Sequence, residues 1–187
     1  MKKLVFLLTA FLFSNAINAQ SDCRGYVGLS GGPVFILGNE IEYIDNGVGL
    51  GINFGYLITS NIGITSSIFR TNFPCNIPYP QVTVGLAGIL VGPLFSTTET
   101  GNVEIDFRPT IGYAYGRLLG ETSTSSVTTG DYTLAFGVGG TVRWNCLNRI
   151  SLSANLDYLY GKPKNEYNDR IDLSSFGFSI GVNYRLK

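Results

Sequence analysis

The residues able to do chemistry are charged side chains on the same face of several alternating segments. Glu104, Asp106 and Arg108 alternate along one segment, Arg143 and Arg185 are expected at the same depth, and Asp157 is expected higher up. Opposite charges enclosed together must be paired or hydrated. The set therefore predicts either a network of ion pairs that fills an interior or a ring of charge that passes ions or small solutes. The residues alone leave both interpretations open.

Enzymatic chemistry has little support in this sequence. The chain contains no histidine, which removes the usual general base of Ser–His and His–Asp enzymes. Glu104 and Asp106 are close in sequence, but arginines share their face, so ion pairing is the expected role. Its three cysteines form no CxxC or Cys/His cluster, so we predict no metal site and no cofactor. We expect a protein that is not an enzyme.

These charges lie within segments that alternate apolar residues with small or polar ones. A period of two is typical of a β-strand with one apolar face. The eight predicted strands are Tyr26–Ile36, Val48–Ile58, Ile62–Thr71, Val82–Ser96, Val103–Arg117, Tyr132–Trp144, Ile150–Tyr160 and Asp172–Leu186. Three short gaps alternate with four long ones, as in a transmembrane barrel with short turns at one end and longer loops at the other.

The composition also indicates an exported membrane barrel. Lys2 and Lys3 precede the apolar stretch Leu4–Phe13, which predicts a signal peptide over residues 1–19 and a barrel domain over 20–187. Removing two of 13 basic residues leaves 11 against 13 acidic ones, a net charge of −2. That balance argues against nucleic acid as a partner. Charged residues make up only 14% of the chain, whereas soluble proteins carry about 25%.

Aromatic residues on the apolar face cluster near the two ends of the strands. Tyr56, Trp144 and Tyr184 lie near the short turns, and Tyr113, Tyr115, Tyr132, Tyr158 and Tyr160 lie near the long loops. Aliphatic residues lie between them, and two aromatic girdles around an apolar band are typical of the two lipid–water interfaces. We therefore predict an eight-stranded antiparallel up-and-down transmembrane β-barrel with the apolar face outside. The main alternative is a soluble, lipocalin-like barrel that carries lipid inside.

Three stretches resemble a known family: the leader ending NAINAQ, the strand RPTIGYAYG and the closing strand FGFSIGVNYRL. They resemble the small outer-membrane barrels of the OmpA/OmpX type, in the version common in Bacteroidetes-like bacteria and often labelled a porin family. The resemblance implies a Gram-negative outer membrane, contact with its lipid and lipopolysaccharide, and insertion by the barrel-assembly machinery. The chain ends on Leu186 and Lys187 instead of a terminal Phe. Periplasmic termini are expected.

The long loops are the other candidate site. Phe73, Tyr79 and Tyr167 are aromatic residues beside prolines or charges, which suits them to anchor a partner. The other interpretation is a solvated cap without a ligand. The leading function is thus a surface protein with a structural, adhesive or interaction role through its loops, toward an unknown extracellular partner. A narrow channel through the charged lumen is the second hypothesis, and a soluble carrier is the third.

Two details of the predicted topology are open to direct test. Cys23 and Cys146 both fall on the short-turn side, so we predict that they can form a disulfide, with Cys75 left over on the opposite side. Pro93 and Pro109 lie inside predicted strands, where each lacks an N–H for the ladder. We expect a bulge near Pro109 or a shifted strand boundary near Pro93.

Overall fold

A computed structural model describes residues 25–37, 44–75, 81–98, 102–121, 126–147, 149–163 and 172–186. The strands are β1 (Gly25–Ile36), β2 (Gly47–Leu57), β3 (Ile62–Pro74), β4 (Gln81–Thr98), β5 (Val103–Glu121), β6 (Ser126–Asn145), β7 (Ile150–Gly161) and β8 (Ser175–Leu186). Each strand pairs antiparallel with the next, and β8 pairs with β1 to close the barrel. The predicted fold is confirmed. Within the described ranges, no helix is long and apolar enough to cross a membrane.

The predicted strand boundaries hold at most ends and fail mainly at the long-loop end. The stretch 118–131 was predicted as a loop, but β5 and β6 remain paired as far as Glu121 opposite Ser126. Strand β3 continues to Pro74, past its predicted end at Thr71. The Ser/Thr-rich stretch 118–131 has no alternating apolar face that would indicate a strand. Two strands can nevertheless pair through their backbones without an apolar face. The β5–β6 hairpin thus extends well beyond the tyrosines that mark the apolar band.

The expected bulge at the prolines is wrong. Pairing between β4 and β5 lapses between Val91, opposite Ile111, and Phe95, opposite Phe107, and it resumes in the same register. That register places Pro93 directly opposite Pro109, so the two missing N–H donors fall at a single position of the ladder. One interruption therefore accommodates both prolines, and neither strand needs an extra residue.

The two faces of the barrel divide as the alternation predicts. Outward positions carry large apolar side chains, such as Leu50 at 66% exposure and Ile180 at 67%. Inward positions carry Gly, Ser, Thr and Asn, together with charged side chains that are mostly buried. A solvated surface of this kind would be strongly unfavourable, so the outer face is suited to lipid.

Candidate functional site

The end of the barrel interior nearest the termini is filled by a charge cluster around Arg143. Its Nε lies 2.9 Å from Asp106 Oδ2, and its Nη2 lies 2.8 Å from Glu104 Oε2. Its guanidinium carbon lies 4.1 Å from the centre of the Tyr26 ring, in cation–π contact. Arg185 lies farther off, with Nη2 3.8 Å from Glu104 Oε1. This cluster fills the lumen with paired charges.

The strand register explains why these side chains meet. Glu104 on β5 lies directly opposite Arg143 on β6, and Asp106 comes one step farther along the same face. Gly55 on β2 leaves room for the Tyr26 ring, because a Cβ at Gly55 would lie 2.2 Å from a ring carbon. The arginine is therefore held between two carboxylates and an aromatic face.

Arg108 does not join this cluster, although it was predicted to lie at the same depth. Its Nη2 lies 3.0 Å from Asp157 Oδ1 on β7, and its Nη1 donates to Asn53 Oδ1 at 3.4 Å. Both Arg108 and Asp157 lie opposite Gly139 of the intervening strand β6. A Cβ at Gly139 would lie 2.3 Å from Asp157 Oδ1, so the glycine makes room for the ion pair. The predicted set is thus divided into two groups.

A chamber of about 120 Å³ lies above the Arg108–Asp157 pair, at mid-height in the lumen. Its polar wall includes Ser30, Asn53 and Ser179, and its apolar wall includes Leu90 and Leu159. The Asp157 side chain faces this space, since 48% of it is exposed, whereas Arg108 shows only 5%. A cavity of this size, lined by both polar and apolar side chains, has room for several water molecules.

An apolar cluster that was not predicted from the sequence closes the lumen on the long-loop side. Its buried members are Val34, Phe73, Val84, Leu86, Leu90, Ala114, Ala135, Leu159 and Leu173. The available signal was the series of apolar residues on the inward face of β4, Val84, Leu86, Leu90 and Leu94. Phe73 was predicted as a loop anchor, and this placement is wrong. It lies in β3 with 1% of its surface exposed, because β3 runs on to Pro74 and turns the ring inward.

Leu173 reaches the cluster from the connection between β7 and β8. Its N–H donates to the Gly161 carbonyl at 3.0 Å, and the Lys162 ammonium lies 3.2 Å from Asp172 Oδ2. The Ser174 hydroxyl and backbone N–H both donate to Asp172 Oδ1. The Ser174 hydroxyl, followed by Lys162, holds the pKa of the Asp172 carboxyl below its ordinary value. These contacts hold Leu173 over the lumen.

The predicted girdle residues all lie on outward positions of their strands. Tyr56, Trp144, Tyr184, Tyr113, Tyr132 and Tyr158 are exposed, and Tyr115 and Tyr160 are half-buried. The Tyr115 and Tyr132 rings lie 5.0 Å apart at the loop end. Their role at a lipid interface stays a prediction.

One edge of the β5–β6 hairpin has no neighbouring strand among the described residues. Strand β7 ends at Gly161, opposite Ala135, whereas β6 begins nine residues earlier, at Ser126. The Tyr132 N–H points to this edge, where it could donate a hydrogen bond to a further strand. It donates instead to Asp131 Oδ1 at 2.8 Å. The Leu134 carbonyl accepts from the Thr133 hydroxyl at 3.3 Å. Side chains of β6 itself therefore satisfy part of this edge.

Several predicted features lie outside the described residues: the signal peptide over 1–19, Cys23, Tyr79 and Tyr167. The Cys146 thiol is free among the described residues and donates to the Ile150 carbonyl. Because Cys23 is not described, the Cys23–Cys146 disulfide stays a prediction. Cys75 is also free, and burial raises the pKa of its thiol. Over the described ranges, no group of His, Cys, Asp and Glu side chains is arranged to hold a metal ion.

Known proteins match this chain in structure and not in sequence. No family model and no curated protein matches it. The crystal structure of Ail, the attachment invasion locus protein of Yersinia pestis, is 14% identical with a TM-score of 0.63, covering 89% of this chain and 100% of Ail. The Neisserial surface protein A is 16% identical, TM-score 0.58, over 88% of this chain and 97% of that one. OprG from Pseudomonas aeruginosa is 12% identical, TM-score 0.51, over 90% and 99%. The chain has the fold of small outer-membrane β-barrels, as the OmpA/OmpX-like resemblance predicted.

Proposed function

We propose that this chain is a non-enzymatic, integral outer-membrane protein that binds an extended segment of an extracellular partner along its β5–β6 hairpin. The proposal places the termini in the periplasm and the long-loop end outside the cell. The outward apolar surface and the outer-membrane barrel fold support this location. The charge cluster at one end of the lumen and the apolar cluster at the other support a role outside the lumen.

The observation that carries the proposal is that no described strand pairs with the first nine residues of β6 on the edge facing away from β5. A strand edge presents N–H and C=O groups that an added strand can pair with, and many proteins bind extended peptides in this way. This edge runs from Ser126 to Leu134, where pairing with β7 has ended. It lies beyond the tyrosine girdle, and therefore outside the lipid layer in the proposed topology. Main-chain pairing would give affinity with little demand on partner sequence.

The test compares two substitutions at a single edge position. Thr128 lies opposite Leu119 and is four residues before Tyr132, so by alternation its N–H also points to the free edge. Thr128→Pro removes that N–H, and Thr128→Val keeps it in a β-branched residue. Cells displaying each form are tested for binding to a panel of purified extracellular-matrix and serum proteins. We expect binding that Thr128→Val retains and Thr128→Pro reduces about tenfold. Equal binding by both variants, or no binding to any protein, contradicts the proposal.

A narrow channel is the second candidate, supported by the chamber inside the lumen and by the Arg108–Asp157 pair that lines it. Conduction would require the side chains of the charge cluster below the chamber and of the apolar cluster above it to move apart. Single-channel recording in planar bilayers distinguishes the two functions. Discrete conductance steps that are abolished by Arg143→Ala or Arg185→Ala would favour the channel, and a silent protein would favour the surface role. The apolar exterior argues against the third hypothesis, a soluble carrier.

A further inference from the structure

The lipid-facing surface carries two charged side chains among those described within the strands, and both are arginines. Arg70 on β3 and Arg117 on β5 share the outward face of their strands with apolar residues such as Ile68 and Tyr115. Both lie at the loop end, within two positions of the Tyr115–Tyr132 ring pair. Neither forms an ion pair with any described acidic residue. Two cations that pair with none of the described acidic residues therefore lie at one end of the apolar band.

The strand register places the two arginines on either side of β4. Arg70 lies opposite Ala87, and Arg117 lies opposite Gly85, two residues away on the same face. Neighbouring strands are about 4.8 Å apart and two residues span about 7 Å, so both side chains can reach one point above β4. The small residues at 85 and 87 leave a shallow groove there.

Gly85 forms the floor of this groove, and the Arg117 side chain lies across it. A Cβ at Gly85 would lie 3.1 Å from Arg117 Nε and 3.2 Å from its Cγ. On the far side, the same Cβ would lie 3.4 Å from Asn72 Oδ1 on β3. That oxygen is buried and has no hydrogen-bond donor among the described residues. The groove therefore combines two cations with an acceptor that lacks a donor.

A charged side chain on the lipid face of a barrel is strongly destabilising at the midplane and nearly neutral close to an interface. The interface position explains why the arginines are tolerated, but it does not explain why two of them flank one groove. A phosphomonoester carries close to two negative charges near neutral pH and accepts charge-assisted hydrogen bonds from guanidinium groups. Asn72 Oδ1 is covered in this structure, so a sugar hydroxyl next to the phosphate can donate to it once the Arg117 side chain has turned toward that phosphate.

We propose that Arg70, Arg117 and Asn72 form a binding site for the phosphomonoester of a glycolipid in the outer leaflet. The proposal rests on the proposed outer-membrane topology and adds a defined lipid site to it. The two arginines bind the phosphate from opposite sides of β4, and Gly85 positions Arg117 by leaving its path clear. A phosphodiester lipid carries only one negative charge, so it binds the two arginines more weakly.

The experiment uses the full mature chain in nanodiscs that contain either monophosphoryl lipid A or phosphatidylglycerol at equal total charge. Native mass spectrometry after transfer to detergent counts the lipids that each protein retains. The variants are Arg70→Gln with Arg117→Gln, and Gly85→Val, which keeps both charges and displaces Arg117. Arg149→Gln is the matched control, because Arg149 is an exposed arginine at the other end of the barrel. Resistance to SDS without heating verifies that each variant is folded.

We expect the native chain and Arg149→Gln to retain monophosphoryl lipid A in preference to phosphatidylglycerol. Interfacial arginines contribute about fivefold each to binding of anionic lipid. Retention of monophosphoryl lipid A should therefore fall about 25-fold in the double variant, and Gly85→Val should lose most of the contribution of Arg117. Equal retention of both lipids, or the same loss in Arg149→Gln, overturns the site. Fractionation of cells producing the native chain tests membrane location separately, so a failure of the topology is distinguishable from a failure of the site.

Discussion

Replacing Arg143 with methionine tests the charge cluster most severely. Arg143, Asp106 and Glu104 are exposed by only 3%, 1% and 7%, and the arginine lies within 2.9 Å of both carboxylates. Removing one partner of a buried ion pair costs about 3–5 kcal/mol, because the remaining charge stays buried and unpaired. Two carboxylates are left here, with Arg185 3.8 Å from one of them. We therefore expect the free energy of unfolding to fall by about 4 kcal/mol or more.

Urea unfolding in detergent micelles, followed by tryptophan fluorescence, measures this loss. Arg149→Met is the control, since Arg149 is exposed and donates one hydrogen bond, to the Tyr184 hydroxyl at 2.9 Å; it should cost about 1 kcal/mol or less. Adding Asp106→Leu and Glu104→Gln to Arg143→Met should restore most of the stability, because no buried charge then remains unpaired. A loss below about 1 kcal/mol for Arg143→Met alone would refute the ion-pair account.

Three further predictions concern other parts of the interior. Gly139→Ala should cost about 1–3 kcal/mol in the same assay, because its Cβ displaces Asp157 and leaves Arg108 unpaired; Gly140→Ala, with open space around its Cβ, should be neutral. Phe73→Ala should cost about 3–5 kcal/mol, and a loss near zero would place the ring outside the apolar cluster. The lowered pKa of Asp172 means that its stabilising contribution is present above the ordinary carboxyl pKa and is lost as pH falls through the lowered folded value. The Leu173 amide NMR signal should therefore shift in strong acid, and an unchanged signal would contradict this.

The barrel and its outward face were predictable because lipid imposes one strict rule on the sequence. Within the apolar band every second residue must be apolar, so segments such as Val48–Ile58 reveal their ends to within a residue or two. Beyond the band that rule no longer applies. The pairing of β5 with β6 past Arg117 depends on backbone hydrogen bonds, which leave little trace in a Ser/Thr-rich sequence. The prediction of a bulge at the prolines was wrong for a similar reason, because the effect of Pro93 on strand pairing depends on Pro109 lying directly opposite it.

The interior was predictable only in composition. Alternation identifies the inward charges, but which of them meet depends on the stagger between strands. Glu104 and Arg143 lie on adjacent strands and meet as neighbours. Arg108 and Asp157 lie two strands apart and meet only because Gly139 between them has no side chain. Phe73 was misplaced because Pro74, directly after it, suggested a loop, whereas β3 ends with that proline.

The central claim is that the apolar face is outside and in contact with lipid. The most direct test is to run the mature protein from a membrane fraction on an SDS gel, unheated beside boiled. A folded membrane barrel should resist SDS until heated, so the account predicts two mobilities. A single mobility, with the protein recovered in the soluble periplasm, would contradict the account and place the apolar face inside.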